Sequence, residues 1–459
     1  MLADLRDREY SRLDRLGETY LDFTGAALYA ESQIERHAQR LRDGVFGNPH
    51  SANGPSQQST LAIESARKRV LEFLDAPDDY EVIFTANTSG AIKLVAEGYR
   101  FSSKSGLVLS ADNHNSMNGI REFATRRGAP VNYIPLDTEL RLVDADDHLR
   151  AAARDRSLFG FPAQSNFSGV RHSLSLVAAA QSHGYRVLLD AAAFLPTNRL
   201  SLRAVPADFV VLSGYKILGF PTGVGALVAR RSRLEELDRP WFAGGTVDYA
   251  SVQHGSHQLQ GGAEAFEDGT PAFLDIAALE DGFEFLDGIE RQALNSHVAA
   301  MTSYAIDRLR TLTRRDGSPL VETYGPRSIN ERGGTVTFNV LRENGTTVAF
   351  DAVVSRARAA QVSLRGGCFC NPGAAEAAFG FPHDETRRCL DRAAAGGFTV
   401  EGLSKCLGPK VPVGAVRASF GIPTTLQDID RAIEVIESFA RADRGRARSQ
   451  LISPVFTQS

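Results

Sequence analysis

The first half of the chain alternates short, apolar, β-branched runs with longer amphipathic stretches, and this rhythm restricts the fold more than any other feature. Strands are expected over 80–85, 106–110, 131–134, 158–162, 187–190, 209–213 and 224–229, with helical patterns between several of them, as over 173–183. Runs this apolar suit strands buried on both faces, and parallel neighbours require a crossover between them. The expectation is an α/β fold, a mostly parallel sheet covered by helices on both sides.

At 459 residues the chain is too long for one ordinary core. A helical pattern with breaks over about 274–312 leads into a second region, with strands expected over 334–340, 361–364 and 415–419 and a helix over 426–440. The reading is an N-terminal segment (1–20), a large domain (21–290), a smaller α+β domain (291–440) and a polar tail (441–459) that lacks periodicity.

Hydrophobic residues at 43% and charged residues at 23% are the mix of a water-soluble globular protein. A net charge of -4 offers no basic face for nucleic acid or an anionic membrane. Four cysteines in so long a chain do not make a disulfide framework, and reduced thiols in a cytoplasmic protein are expected. The charged first 20 residues do not read as a secretory signal, and no stretch is apolar enough for a membrane span.

In open α/β sheets ligands bind beyond the C-terminal strand ends, and the notable polar residues fall there. Lys216 ends Leu212-Ser213-Gly214-Tyr215-Lys216, just before the Gly-rich bend 219–225. A lone lysine at a strand end is ordinarily a solvated charge; one shielded from water has a lowered pKa and can form a Schiff base with a carbonyl cofactor. Asp190 closes the strand before the lysine's own. It is either a turn aspartate or the partner of a protonated pyridine nitrogen.

Asn87-Thr88-Ser89-Gly90 places hydroxyls and free N–H groups at a helix start, which is either simple capping or a phosphate site. His114, in Asp112-Asn113-His114-Asn115-Ser116, is either structural or an imidazole stacked on a planar cofactor and able to move protons near neutral pH. The loop Arg365-Gly366-Gly367-Cys368-Phe369-Cys370-Asn371-Pro372-Gly373 carries two cysteines. No second Cys/His pair stands at zinc spacing, so no metal is expected and a reactive thiol is the better reading. Arg417 is either a surface arginine or a clamp on a carboxylate.

Tyr20-Leu21-Asp22, Gly47-Asn48-Pro49-His50-Ser51, Gln164-Ser165-Asn166-Phe167-Ser168-Gly169, Asp190-Ala191-Ala192-Ala193, the Lys216 segment and the 367–373 loop occur in this order. Together they resemble the class V aminotransferases, a family of fold-type I pyridoxal-phosphate enzymes. Within it they are most similar to the desulfurase domain of molybdenum-cofactor sulfurases, relatives of the cysteine desulfurases.

The resemblance implies that Lys216 holds pyridoxal 5'-phosphate and moves the Cα proton, that Asp190 faces the pyridine nitrogen and that His114 stacks on the ring. It gives Thr88, Ser89 and Ser213 to the phosphate and Asn166 to the ring or its phenolic oxygen. Thr270 would reach the phosphate of a neighbouring subunit, which implies a homodimer. Arg417 and Arg365 would bind the substrate carboxylate, and Cys370, in preference to Cys368, would accept sulfur from L-cysteine. The rival reading is another class V reaction, a C–S lyase, β-elimination or epimerisation, with Cys370 a bystander.

Phe23 and Tyr215 stand where many members of the resembled family have a polar residue and a histidine, and Ala193 replaces the glutamine of many stand-alone desulfurases, an alanine that the sulfurase subgroup shares. The resemblance stops short of the C-terminal domain of large molybdenum-cofactor sulfurases, which leaves the sulfur acceptor unassigned.

Overall fold

The structure, a computed structural model, describes residues 2–450. Its first half is built on a seven-stranded sheet of β1 (Tyr80–Thr85), β2 (Leu107–Ser110), β3 (Val131–Ile134), β4 (Leu158–Pro162), β5 (Arg186–Asp190), β6 (Phe209–Ser213) and β7 (Gly225–Arg230). Their order is β1-β7-β6-β5-β4-β2-β3, parallel except for β7, which runs against both of its neighbours.

Alternation along each strand splits the core in two. Val187, Leu189 and Val210 face one side, where the helices Gly54–Phe73 and Phe273–Asp287 supply Val70 and Phe283. Leu188, Phe209 and Val211 face the other, against Ile92 and Val95 of helix Thr88–Gly98. Because both faces are covered, the central strands β2, β4 and β6 are buried along their whole length, as the apolar runs imply, while the edge strand β3 exposes Asn132 and Tyr133.

A second, four-stranded antiparallel sheet is formed by β8 (Val321–Tyr324), β9 (Thr335–Val340), β10 (Arg365–Gly367) and β11 (Ala415–Ser419) in the order β8-β9-β11-β10. Helices Arg291–Thr311, Phe350–Ala359 and Leu426–Gln450 pack on it around Val336, Phe338, Val353 and Ile433.

Three expectations change. Val362–Ser363 pairs in parallel with Thr19–Tyr20 and does not join the four-stranded sheet, so the N-terminal strand lies beside the C-terminal half. The last helix runs through the first ten residues of the segment read as a tail; 451–459 lie outside the described residues. Cys389 and Cys406 are joined in a disulfide, contrary to the expectation of reduced thiols. Helices His383–Gly396 and Val400–Leu407 fold back on one another and bring the two Cα atoms to 5.9 Å, a closeness that a separation of 17 residues in sequence does not reveal. Among the described residues no helix is long and apolar enough to cross a membrane.

Candidate active site

One cavity of about 90 Å³ gathers Asn87, Thr88, Ser89, His114, Ser116, Gln164, Asn166, Asp190, Ser213, Tyr215 and Lys216. They arrive from the ends of five strands because the parallel strands all point the same way, and β7 closes the far side by running back. Seven of the residues singled out in the sequence thus share one wall: Thr88, Ser89, His114, Asn166, Asp190, Ser213 and Lys216.

Lys216 follows β6 on a single helical turn and is only partly exposed. Burial pushes its pKa below the usual lysine range; the Asp190 carboxylate opposes that shift, and Arg417 and Arg365 reinforce it. A lowered pKa favours the neutral amine, the form that attacks a carbonyl. Asp190 is buried, with one oxygen accepting the Ala192 N–H at 3.0 Å.

Asn87 caps helix Thr88–Gly98 by accepting the Gly90 N–H at 3.0 Å. Gly225, at the start of β7, backs this turn so closely that a Cβ there would stand 2.4 Å from the Asn87 carbonyl carbon. The buried Thr88 hydroxyl has no hydrogen-bond partner among the described residues, and the Ser213 hydroxyl is buried beside Tyr215. An unpaired hydroxyl at a helix N-terminus is costly unless a ligand meets it, and an anion with several acceptor oxygens fits. The residues present therefore fit an aldehyde cofactor carrying a phosphate: amine, acid, phosphate turn and flanking imidazole lie around one space.

His114 Nδ1 accepts the Ser116 N–H at 3.2 Å, so the ring proton belongs on Nε2. Burial holds the His114 pKa below the ordinary imidazole value, and the Lys216 charge adds to this. Ser116 bonds Ser89 at 2.5 Å, which ties the histidine to the turn at the start of helix Thr88–Gly98.

Arg417 on β11 and Arg365 on β10 sit directly opposite each other and share Asp22. Arg417 is buried, gives Nη2 to Asp22 at 2.9 Å and Nη1 to the Asn166 carbonyl at 3.0 Å, and leaves Nε without a partner. Arg365 is half exposed and holds Asp22 through Nε and Nη2.

The two loop cysteines are unalike. Cys368 is partly buried, donates to the Val413 carbonyl at 3.2 Å, and has its pKa raised by burial. Cys370 is a free, exposed thiol.

Thr270 lies outside this cavity. It lines a neighbouring space behind the phosphate turn, where its hydroxyl is 3.4 Å from Asn48 Nδ2. Sequence reasoning missed the roles of Asp22, Ser116 and Asn371. Only Asn371 carried a local signal, an Asn-Pro pair at a helix start.

A sheet of this order, with a lysine pocket at its C-terminal strand ends and a second, antiparallel sheet alongside, defines an α/β fold. The chain belongs to the Aminotransferase class-V family, whose pattern it matches over residues 19–432. It is 33% identical to the molybdenum cofactor sulfurase of Arabidopsis thaliana, over 100% of this chain and 60% of that protein. It is 36% identical to molybdenum cofactor sulfurase 3 of Aedes aegypti, over 97% of this chain and 60% of that protein. The chain thus spans well under two thirds of the length of these relatives. Its fold is similar to that of a cysteine desulfurase from Thermococcus onnurineus, with a TM-score of 0.79 at 24% identity, covering 96% of this chain and 98% of that one.

Proposed function

We propose that the protein is a pyridoxal-phosphate-dependent cysteine desulfurase that converts L-cysteine to L-alanine and holds the sulfur as a persulfide on Cys370. The observation that carries this reading is the attachment of the turn bearing the exposed free thiol Cys370 to the rim of the Lys216 cavity, through the Asn115 N–H on the Cys370 carbonyl at 2.7 Å and Asn166 Nδ2 on the Phe369 carbonyl at 2.7 Å. Relatives named molybdenum cofactor sulfurase support sulfur transfer and suggest that cofactor as the acceptor.

Pyridoxal phosphate, when bound, supplies an electron sink for charge developing at the substrate Cα. Thr88, Ser89 and Ser213 would hold its phosphate, Asp190 would face its pyridine nitrogen, and His114 would flank its ring. Lys216 would carry the cofactor and move the Cα proton. Arg365 and the free Nε of Arg417 take the substrate carboxylate. Neutral His114 accepts the substrate thiol proton. The Cys370 thiolate attacks the substrate sulfur; an S–S bond forms, the C–S bond breaks with its electron pair left on Cβ, and alanine is completed when His114 returns its proton to Cβ and Lys216 returns its own to Cα. We further infer a homodimer in which Thr270 serves the partner's phosphate, and a domain division near residue 290, where helices Phe273–Asp287 and Arg291–Thr311 are separated.

The test is incubation of the holoprotein with L-cysteine, followed by alanine quantification and mass analysis of Cys370. Alanine with a persulfide on Cys370, lost in Cys370→Ser, is expected. Pyruvate and sulfide formed equally well by Cys370→Ser would assign a C–S lyase instead.

A further inference from the structure

Asn371 is fully buried directly after Cys370, and both ends of its amide are engaged. Its Oδ1 accepts the Ala374 N–H at 3.2 Å and so caps helix Pro372–Phe379. Its Nδ2 donates to the Asp112 carbonyl at 2.6 Å and to Asn166 Oδ1 at 2.9 Å. Asn166 in turn gives its own Nδ2 to the Phe369 carbonyl at 2.7 Å, and the Asn115 N–H binds the Cys370 carbonyl at 2.7 Å. The thiol-bearing turn is therefore gripped from the ends of β2 and β4, the strands that also deliver His114 and Asn166.

The grip has something to hold. Phe369 and Cys370 are consecutive non-glycine residues in the left-handed region, with φ of 56° and 55°. Side chains of this kind persist there only when the surroundings impose the conformation. Gly373 completes the seat: a Cβ on it would stand 2.1 Å from the Ala111 carbonyl oxygen, so helix and loop approach as closely as backbone allows.

Capping alone does not account for this arrangement, because a cap uses only the acceptor half of the amide. The donor half reaches across to the large sheet and to Asn166, whose carbonyl also receives Arg417.

We propose that Asn371 and Asn166 form a positioning pair that locks the Cys370 turn at the lysine pocket, so that sulfur is taken up by a thiol fixed in place and not by a swinging loop. The role in sulfur uptake rests on the desulfurase reading; the lock itself does not.

Asn371→Asp keeps the capping oxygen and removes both donors, whereas Asn371→Ala removes cap and donors together. Backbone amide exchange over residues 367–371, measured on the holoprotein, reads the lock directly. Persulfide formation on Cys370 from L-cysteine reads its consequence. Exchange is expected to speed up by about tenfold or more in both variants, with persulfide formation slowed on the order of 100-fold and the cofactor absorption band retained. Wild-type exchange in Asn371→Asp would reduce Asn371 to a helix cap and overturn the lock. Faster exchange with wild-type persulfide formation would overturn its link to sulfur uptake. A wild-type protein that forms no persulfide would overturn the desulfurase reading and that link with it, while the exchange arm would still decide the lock.

Discussion

Arg417 and Asp22 form an ion pair at 2.9 Å although 395 residues separate them, and the contact joins the N-terminal strand to the last strand of the small sheet. Asp22 holds Arg365 as well, so one carboxylate stands between two guanidinium groups.

Removing Asp22 leaves Arg417 buried without its anion. Breaking a pair of this kind costs about 3 kcal/mol, far more than a surface ion pair contributes. Asp22→Asn is expected to lower unfolding free energy by that order, measured by urea denaturation. A change within about 0.5 kcal/mol would show the pair to be dispensable.

Lys216→Ala is expected to abolish the visible absorption band of lysine-bound cofactor and all turnover, with the fold retained, because the cavity wall loses its amine and little apolar packing. Absorption and near-ultraviolet circular dichroism check this. A band that survives the substitution would place the carbonyl-binding amine elsewhere.

Gly225→Ala drives a methyl group into the Asn87 backbone and tilts the phosphate turn. The expected outcome is weaker cofactor binding, on the order of 10-fold or more, read by titrating the apoprotein with pyridoxal phosphate. Unchanged affinity would remove Thr88 and Ser89 from the phosphate site.

His114 has a folded pKa below that of the unfolded chain. Between those two values the unfolded state binds the extra proton, so stability is full above the unfolded pKa and falls as pH drops toward the folded one. Buried His37 and partly buried His297 act in the same direction. Replacing His114 with Asn, which can also cap the turn, should flatten the acid limb by up to about 1.4 kcal/mol per pH unit, one proton's worth. Urea midpoints at several pH values below 7 would show it.

Thiol titration of the unfolded, unreduced protein is expected to find two reactive cysteines of the four, Cys368 and Cys370. Four would mean that Cys389 and Cys406 are reduced. Opening the 17-residue loop they close should cost about 3 kcal/mol in the chain-entropy account.

Much of the large sheet was legible because its strands are buried on both faces and read as continuous apolar runs bounded by turns. The boundaries of β3, β4 and β6 match the expected ones. The strand expected over 361–364 was misplaced, because a two-residue pairing with Thr19–Tyr20 leaves no periodic trace. Asp22 was legible only as part of a motif; its work depends on two arginines more than 340 residues away.

The sequence by itself determined the α/β sheet, the lysine at a strand end and the polar residues at its neighbours, since each is written in local pattern and spacing. Tertiary structure alone decided which of these groups share a space, which thiol is free, and how Asn371 and Asn166 grip the Cys370 turn. Hydrogen bonds, ion pairs and burial between distant segments depend on positions in three dimensions, and no local run of residues encodes them.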